Sequence, residues 1–197
     1  MHGVNLLHTI GWLFCCIYAS IPSFWLVIHP HADHWRQRHR ERRPVYKLLL
    51  LLWELMWIAL FGLTYPLREM RLYDQRWPWI VAVLFFATGI YLYMRARRGF
   101  SPLQFTGHHE IQLEQHEQRL VSSGIREHVR HPIYLGHLCE MIGWSVGTGV
   151  ATCWTLTAFA IVTGAVMIRH EERELIQRFG DSYREYQQRV PAILPKF

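Results

Sequence analysis

Five residues stand where charge is either costly or concentrated. Glu54 in LLWELMW and Glu140 in HLCEMIGW each interrupt a long apolar run. A bare carboxylate in lipid costs about 3 kcal/mol or more, so such a residue is expected to face a cavity or a partner. His137 lies one helical turn before Glu140, and the two can pair on one helix face. If proton transfer is needed, Glu54, Glu140 and His137 are the candidate bases; otherwise they are hydrogen-bonding groups between helices. Glu171 and Glu172 are adjacent, just where another apolar run ends. Two neighbouring carboxylates suit a ligand that is cationic or rich in hydroxyls, although a solvated helix with Glu–Arg pairs would look similar.

The cationic counterpart is VRHPIYLGHL, residues 129–138, where Arg130 and His131 abut Pro132. Proline is tolerated in the first turn of a helix because its missing donor would be unpaired there anyway. A helix N-terminus beside an arginine and a histidine is a place for an anionic group.

Several chemistries are excluded. The only glycine cluster, GWSVGTG at 143–149, lies inside apolar sequence with no flanking strand, so it is no nucleotide-binding turn. Gly143 and Gly147 read as close-packing positions. No P-loop and no G-x-S-x-G elbow occurs. The 13 histidines form no H-E-x-x-H pair, so no metal site is expected. Cys15, Cys16, Cys139 and Cys153 all fall in apolar segments without disulfide-framework spacing and read as reduced packing residues. The net charge of +6 is carried mostly by arginine in the loops. That pattern suits anionic lipid headgroups rather than nucleic acid, for which no soluble basic module remains.

The elements that must position these groups are membrane spans. No charged side chain occurs from Met1 to Ala32, from Trp77 to Met94 or from Met141 to Ile168, and only Glu54 between Leu48 and Pro66. A hydrocarbon core of about 30 Å asks for about 20 apolar residues per helix. Soluble helices would show polar positions every turn. The expected spans are 4–28, 45–65 and 77–94, then a tight hairpin of 133–146 and 151–168 turning at GTG. The first run lacks a basic n-region and is too long for a signal peptide, so it is taken as a span. A charged helix, 169–188, follows, and the prolines of VPAILPKF stop it. The expectation is an all-α, polytopic integral membrane protein of about five spans. It forms one domain over 1–197, with three N-terminal spans (1–95) and a C-terminal core (96–197) around the hairpin. By the positive-inside rule the arginine-rich first loop, the 95–130 segment and the C-terminal helix share the cytoplasmic side. Both polar segments flanking the hairpin then meet at one membrane face.

The segment LVSSGIREHVRHPIYLG (120–136), the hairpin, and RHEERELIQRFGDSYREYQQRVPAILP (169–195) together resemble the isoprenylcysteine carboxyl methyltransferase family, within a wider group that includes phospholipid N-methyltransferases. The likeness covers about the last hundred residues. It implies S-adenosylmethionine as cofactor, with S-adenosylhomocysteine as product, held at the cytoplasmic face without a Rossmann fold. Carried over, Gln118, Arg119, Leu120 and Val121 border the cofactor. His131, Pro132, Ile133 and Tyr134 contact it with Arg130, and Glu171, with Glu172 beside it, supplies a carboxylate. Arg169 lies near an arginine used toward substrate. Arg126 stands where relatives have a cofactor-contacting tyrosine, and is carried as a cofactor residue in its altered form.

The chemistry agrees with this carry-over. Ribose hydroxyls suit Glu171, and the amino-acid carboxylate suits Arg130, His131 or free helix N–H groups. The sulfonium suits an aromatic face such as Tyr134. The expected reaction is in-line methyl transfer to a lipophilic acceptor arriving from the bilayer, driven by positioning and exclusion of water. The acceptor is expected to be the carboxylate of an isoprenylcysteine-like molecule or lipid, which needs no base. Alternatives are an amine or phospholipid acceptor, an intramembrane reductase of sterol-reductase type, and a non-catalytic scaffold. The N-terminal half is shorter than in the eukaryotic enzymes, so the likeness does not carry prenylated-protein specificity with it. The expected location is a multi-pass one in a prokaryotic inner membrane.

Overall fold

The computed structural model describes residues 6–31, 34–35, 37–38, 44–97 and 120–194. Among the described residues, the helices with both ends in view are, in order, α1 Leu6–Ile28, α2 Val45–Thr64, α3 Pro78–Ala96, α4 Pro132–Thr148, α5 Ala151–Phe179 and α6 Asp181–Arg189. Four of them, α1, α2, α3 and α5, are long and apolar enough to cross a membrane. The fifth expected span, α4, has 17 residues, about 26 Å of rise, a little short of a full hydrocarbon core. The all-α membrane architecture read from the sequence holds.

Two boundaries differ from expectation. No separate charged helix begins at Arg169, because nothing there breaks the chain. α5 carries its hydrogen bonds through the charged stretch to Phe179 and stops at Gly180, whose φ of 59° is left-handed. The turn between α4 and α5 uses Gly149, at φ 64°, where a side chain would be strained and would also strike Tyr73 at 2.8 Å.

Lipid supplies no hydrophobic force between helices, so close approach and hydrogen bonds must hold them. α3 and α4 meet through a ladder of rings laid on glycines. Tyr93 packs on Gly136, Phe86 on Gly143 and Trp79 on Gly147, each ring within 2.6–2.8 Å of where a Cβ would stand. Trp12, Cys15, Cys16 and Ala19 of α1 pack with Met141 of α4 and Cys153 and Leu156 of α5. All four cysteines are free and buried, as their setting suggested. Two polar pairs tie this core: Trp12 Nε1 donates to Thr64 Oγ1 at 2.8 Å, and Ser145 Oγ pairs with Thr157 Oγ1 at 2.9 Å.

Both ends of the hairpin are strapped. On the turn side, Leu72 N donates to Gly149 O and Ala151 N to Met70 O. On the other, the tail after α6 pairs with the residues before α4. Arg130 N donates to Pro191 O at 2.9 Å and His131 N to Ala192 O at 3.0 Å. Tyr186 Oη donates to Arg126 O at 2.7 Å. The result places the start of α4 against the charged part of α5.

Candidate functional site

α4 begins at Pro132, so His131 sits at the helix mouth as its N-cap. Its ring is stacked on Tyr134, with centroids 5.5 Å apart and 13° between planes. The ring lies between the two glutamates of α5: Nε2 is 3.2 Å from Glu172 Oε1, and Nδ1 is 3.6 Å from Glu171 Oε2. The two carboxylates then part company.

Glu172 is fully engaged. Arg130 donates from Nε to Glu172 Oε1 at 2.7 Å, and Gln187 Nε2 donates to Glu172 Oε2 at 2.9 Å. Arg130 also donates to the backbone carbonyls of Gln187 and Val190. Its guanidinium is thus spent on tying the α6 tail to α5. It does not stand open to an anion, as its place in the sequence suggested. Glu171 is the opposite case: its Oε2 is buried and accepts no hydrogen bond from any described residue. A buried acceptor without a donor costs about 1–3 kcal/mol, and here it faces the histidine at the hairpin mouth.

Arg126, in the short 3₁₀ turn Gly124–Glu127, is buried and donates to Ala96 O at the end of α3 at 3.3 Å. Burial lowers its pKa, while Tyr186 and Glu171 act to raise it. It therefore brings positive charge to the Glu171 side of the site. Leu120 packs on the Tyr183–Tyr186–Val190 cluster beneath α6, and Val121 beside it is half-buried. Gln118 and Arg119 lie outside the described residues. Ile133 and Tyr134 form the first turn of α4, at the positive end of its helix dipole. Arg169 is exposed on α5 two residues before Glu171.

The intramembrane groups lie elsewhere. His137 and Glu140 are six and nine residues past His131 on α4, about 9 and 13 Å along the axis. They do not pair with each other. Glu140 accepts a 2.6 Å hydrogen bond from Tyr18 Oη of α1. His137 is stacked on Tyr18 at 4.9 Å and tilted against Tyr93 at 5.5 Å. Glu54 is exposed on α2 and joins neither group. Sequence reasoning missed Tyr18, Tyr93, Gln187 and the tail carbonyls. The tail alone left a signal, the V-P and L-P of its final motif.

The family described as phospholipid methyltransferase matches residues 77–182, from α3 into the start of α6. Among curated proteins, protein-S-isoprenylcysteine O-methyltransferase B of Arabidopsis thaliana is 43% identical over 96 residues, 46% of either chain. The mouse protein-S-isoprenylcysteine O-methyltransferase is 30% identical over 140 residues, 64% of this chain and 47% of its own. Methanethiol S-methyltransferase 1 of Bradyrhizobium diazoefficiens is 42% identical over 67 residues, 34% of this chain and 23% of its own. The matched part spans under half the length of each relative. No solved structure matches. The family match takes in more than half of the chain and runs through the ring ladder, the hairpin, His131 and both glutamates: this chain belongs to the phospholipid methyltransferase family.

Proposed function

We propose that this chain is an S-adenosylmethionine-dependent membrane methyltransferase. Its acceptor is lipophilic, the carboxylate of an isoprenylcysteine-like molecule or lipid, and its site opens at the cytoplasmic membrane face. The observation that carries this reading is Glu171 Oε2, a buried carboxylate oxygen with no donor among the described residues, beside His131 at the hairpin mouth. A hydroxyl-bearing, cationic ligand supplies what this oxygen lacks, and the two hydroxyls and sulfonium of S-adenosylmethionine are such groups. The cofactor's contribution is an activated methyl group.

The chain's own residues do the holding. Glu171 accepts from ribose hydroxyls. The positive end of the α4 dipole, at Pro132–Ile133, favours the amino-acid carboxylate. Arg126 adds positive charge on the Glu171 side, and Tyr134, held by its stack on His131, offers a ring face to a sulfonium. Arg130 and Glu172 keep α4, α5 and the tail in register, so they position the site rather than touch the ligand.

The spacing also favours an acid acceptor. A carboxylate is already nucleophilic, whereas an amine or phenol needs a base. Glu140 and His137 lie about 9–13 Å deeper along α4 than His131, beyond direct proton transfer at the mouth. Arg169, exposed on α5 near the mouth, suits an arriving acid. The relatives named as isoprenylcysteine O-methyltransferases support the same class. The test is calorimetric titration of the detergent-solubilised protein with S-adenosylhomocysteine. Saturable binding is expected; a folded protein that shows none at millimolar ligand overturns the proposal.

A further inference from the structure

α2 is the least covered of the four long spans: 11% of its apolar stretch is buried, against 22–39% for the others. It leans on α1 through one face. Leu49 packs with Ile28, Phe61 stacks on Trp12 at 4.0 Å, and Thr64 accepts from Trp12 Nε1. The outward side presents Leu51, Glu54, Leu55, Ile58 and Gly62, and every one of them is exposed. Their recurrence at i, i+3, i+4, i+7 and i+11 places them on one stripe.

An apolar stripe facing out of a span needs no cover but lipid. Glu54 breaks that rule. It is the tenth of the 20 residues of α2, about 14 Å from either end, too deep for its short side chain to lift the carboxyl to the headgroups. Among the described residues it has no hydrogen-bond or ion-pair partner. The other intramembrane carboxylate, Glu140, is satisfied within the chain, accepting from Tyr18 Oη at 2.6 Å. A carboxyl left against hydrocarbon is costly and calls for a polar partner at the same depth.

We infer that this face of α2 is an intramembrane interface and that its occupant is α2 of a second copy of this chain. A two-fold axis along the membrane normal sets the two α2 helices side by side in the same orientation, so Glu54 meets Glu54 at equal depth. A carboxyl is its own complement when a proton is shared, one oxygen donating and the other accepting. No cationic partner is required. Leu51, Leu55 and Ile58 supply packing on either side, and Gly62 permits close approach: nothing lies within 4 Å of where its Cβ would stand. Glu54 then acts in assembly rather than in proton transfer.

The test is energy transfer between donor- and acceptor-labelled full-length chains, co-reconstituted in phosphatidylcholine vesicles over a range of protein-to-lipid ratios. The wild type should show a saturable dimer. Glu54→Leu should weaken it about tenfold, as expected for loss of an interhelical hydrogen bond in lipid. Glu54→Gln, whose amide both donates and accepts, should hold the dimer. Gly62→Ile meets nothing in its own chain and should weaken the dimer while leaving the melting temperature in dilute detergent unchanged. It serves as the test if Glu54→Leu does not fold. Val83→Trp, on the exposed face of α3 where no carboxyl stands, should leave association unchanged. A wild type whose energy transfer never exceeds chance proximity overturns the inference. So does a Glu54→Leu variant that associates as tightly as the wild type, or a Val83→Trp variant weakened as much as Gly62→Ile.

Discussion

Arg130→Leu separates the two roles that this arginine could hold. If it is a tie, its removal leaves Glu172 with one cationic partner fewer and strips two tail carbonyls of their donor. The Arg130 and Glu172 side chains are only 9% and 14% exposed, so little solvent screening applies. Breaking a buried pair by deleting one partner costs about 3–5 kcal/mol. His131 and Gln187 still contact Glu172, which places the expected loss at the lower end, about 3 kcal/mol. For a chain of this size that is a fall in melting temperature of about 6–12 °C, followed by circular dichroism in a fixed detergent. A second change, Glu172→Leu, removes the stranded charge. The double variant should therefore melt above Arg130→Leu, with losses well short of additive. Arg130→Leu melting with the wild type while losing S-adenosylhomocysteine affinity would refute the reasoning. It would make the guanidinium a ligand contact.

Two further expectations concern the frame around the site. Gly136→Ala drives a methyl into the Tyr93 ring, 2.6 Å from the new Cβ, and should cost about 1–3 kcal/mol as an overpacked contact, read as a lower melting temperature. Tyr186→Phe deletes the 2.7 Å bond to Arg126 O; it should cost about 1 kcal/mol and increase hydrogen exchange in residues 120–130, with α1–α3 unchanged.

The spans were legible because lipid forbids charge over long runs, and those runs stand bare in the sequence. The hairpin was legible for the same reason, with GTG marking its turn. α5 was harder. A helix that leaves the membrane and continues through Arg169–Glu174 changes its solvent, not its hydrogen bonding, so composition suggested a break where none exists. At the site, the meeting of His131 with the glutamate pair followed from the two ends of one tight hairpin. What Arg130 does there did not follow. Its partners are backbone carbonyls of a tail some sixty residues later, and carbonyls carry no side-chain signature. Tyr18 and Glu140 are 122 residues apart, and a tyrosine within an apolar span looks like any other packing residue until α1 is laid against α4.

The central claim is that Glu171, the carboxylate left without a donor, is the one that holds the cofactor, while its neighbour Glu172 holds the fold. Titration of S-adenosylhomocysteine into wild type, Glu171→Gln and Glu172→Gln measures this directly. Loss of a charged hydrogen-bond acceptor predicts an affinity about tenfold or more weaker for Glu171→Gln with little change in melting temperature. Glu172→Gln should lower the melting temperature first. Unchanged affinity in Glu171→Gln would contradict the account.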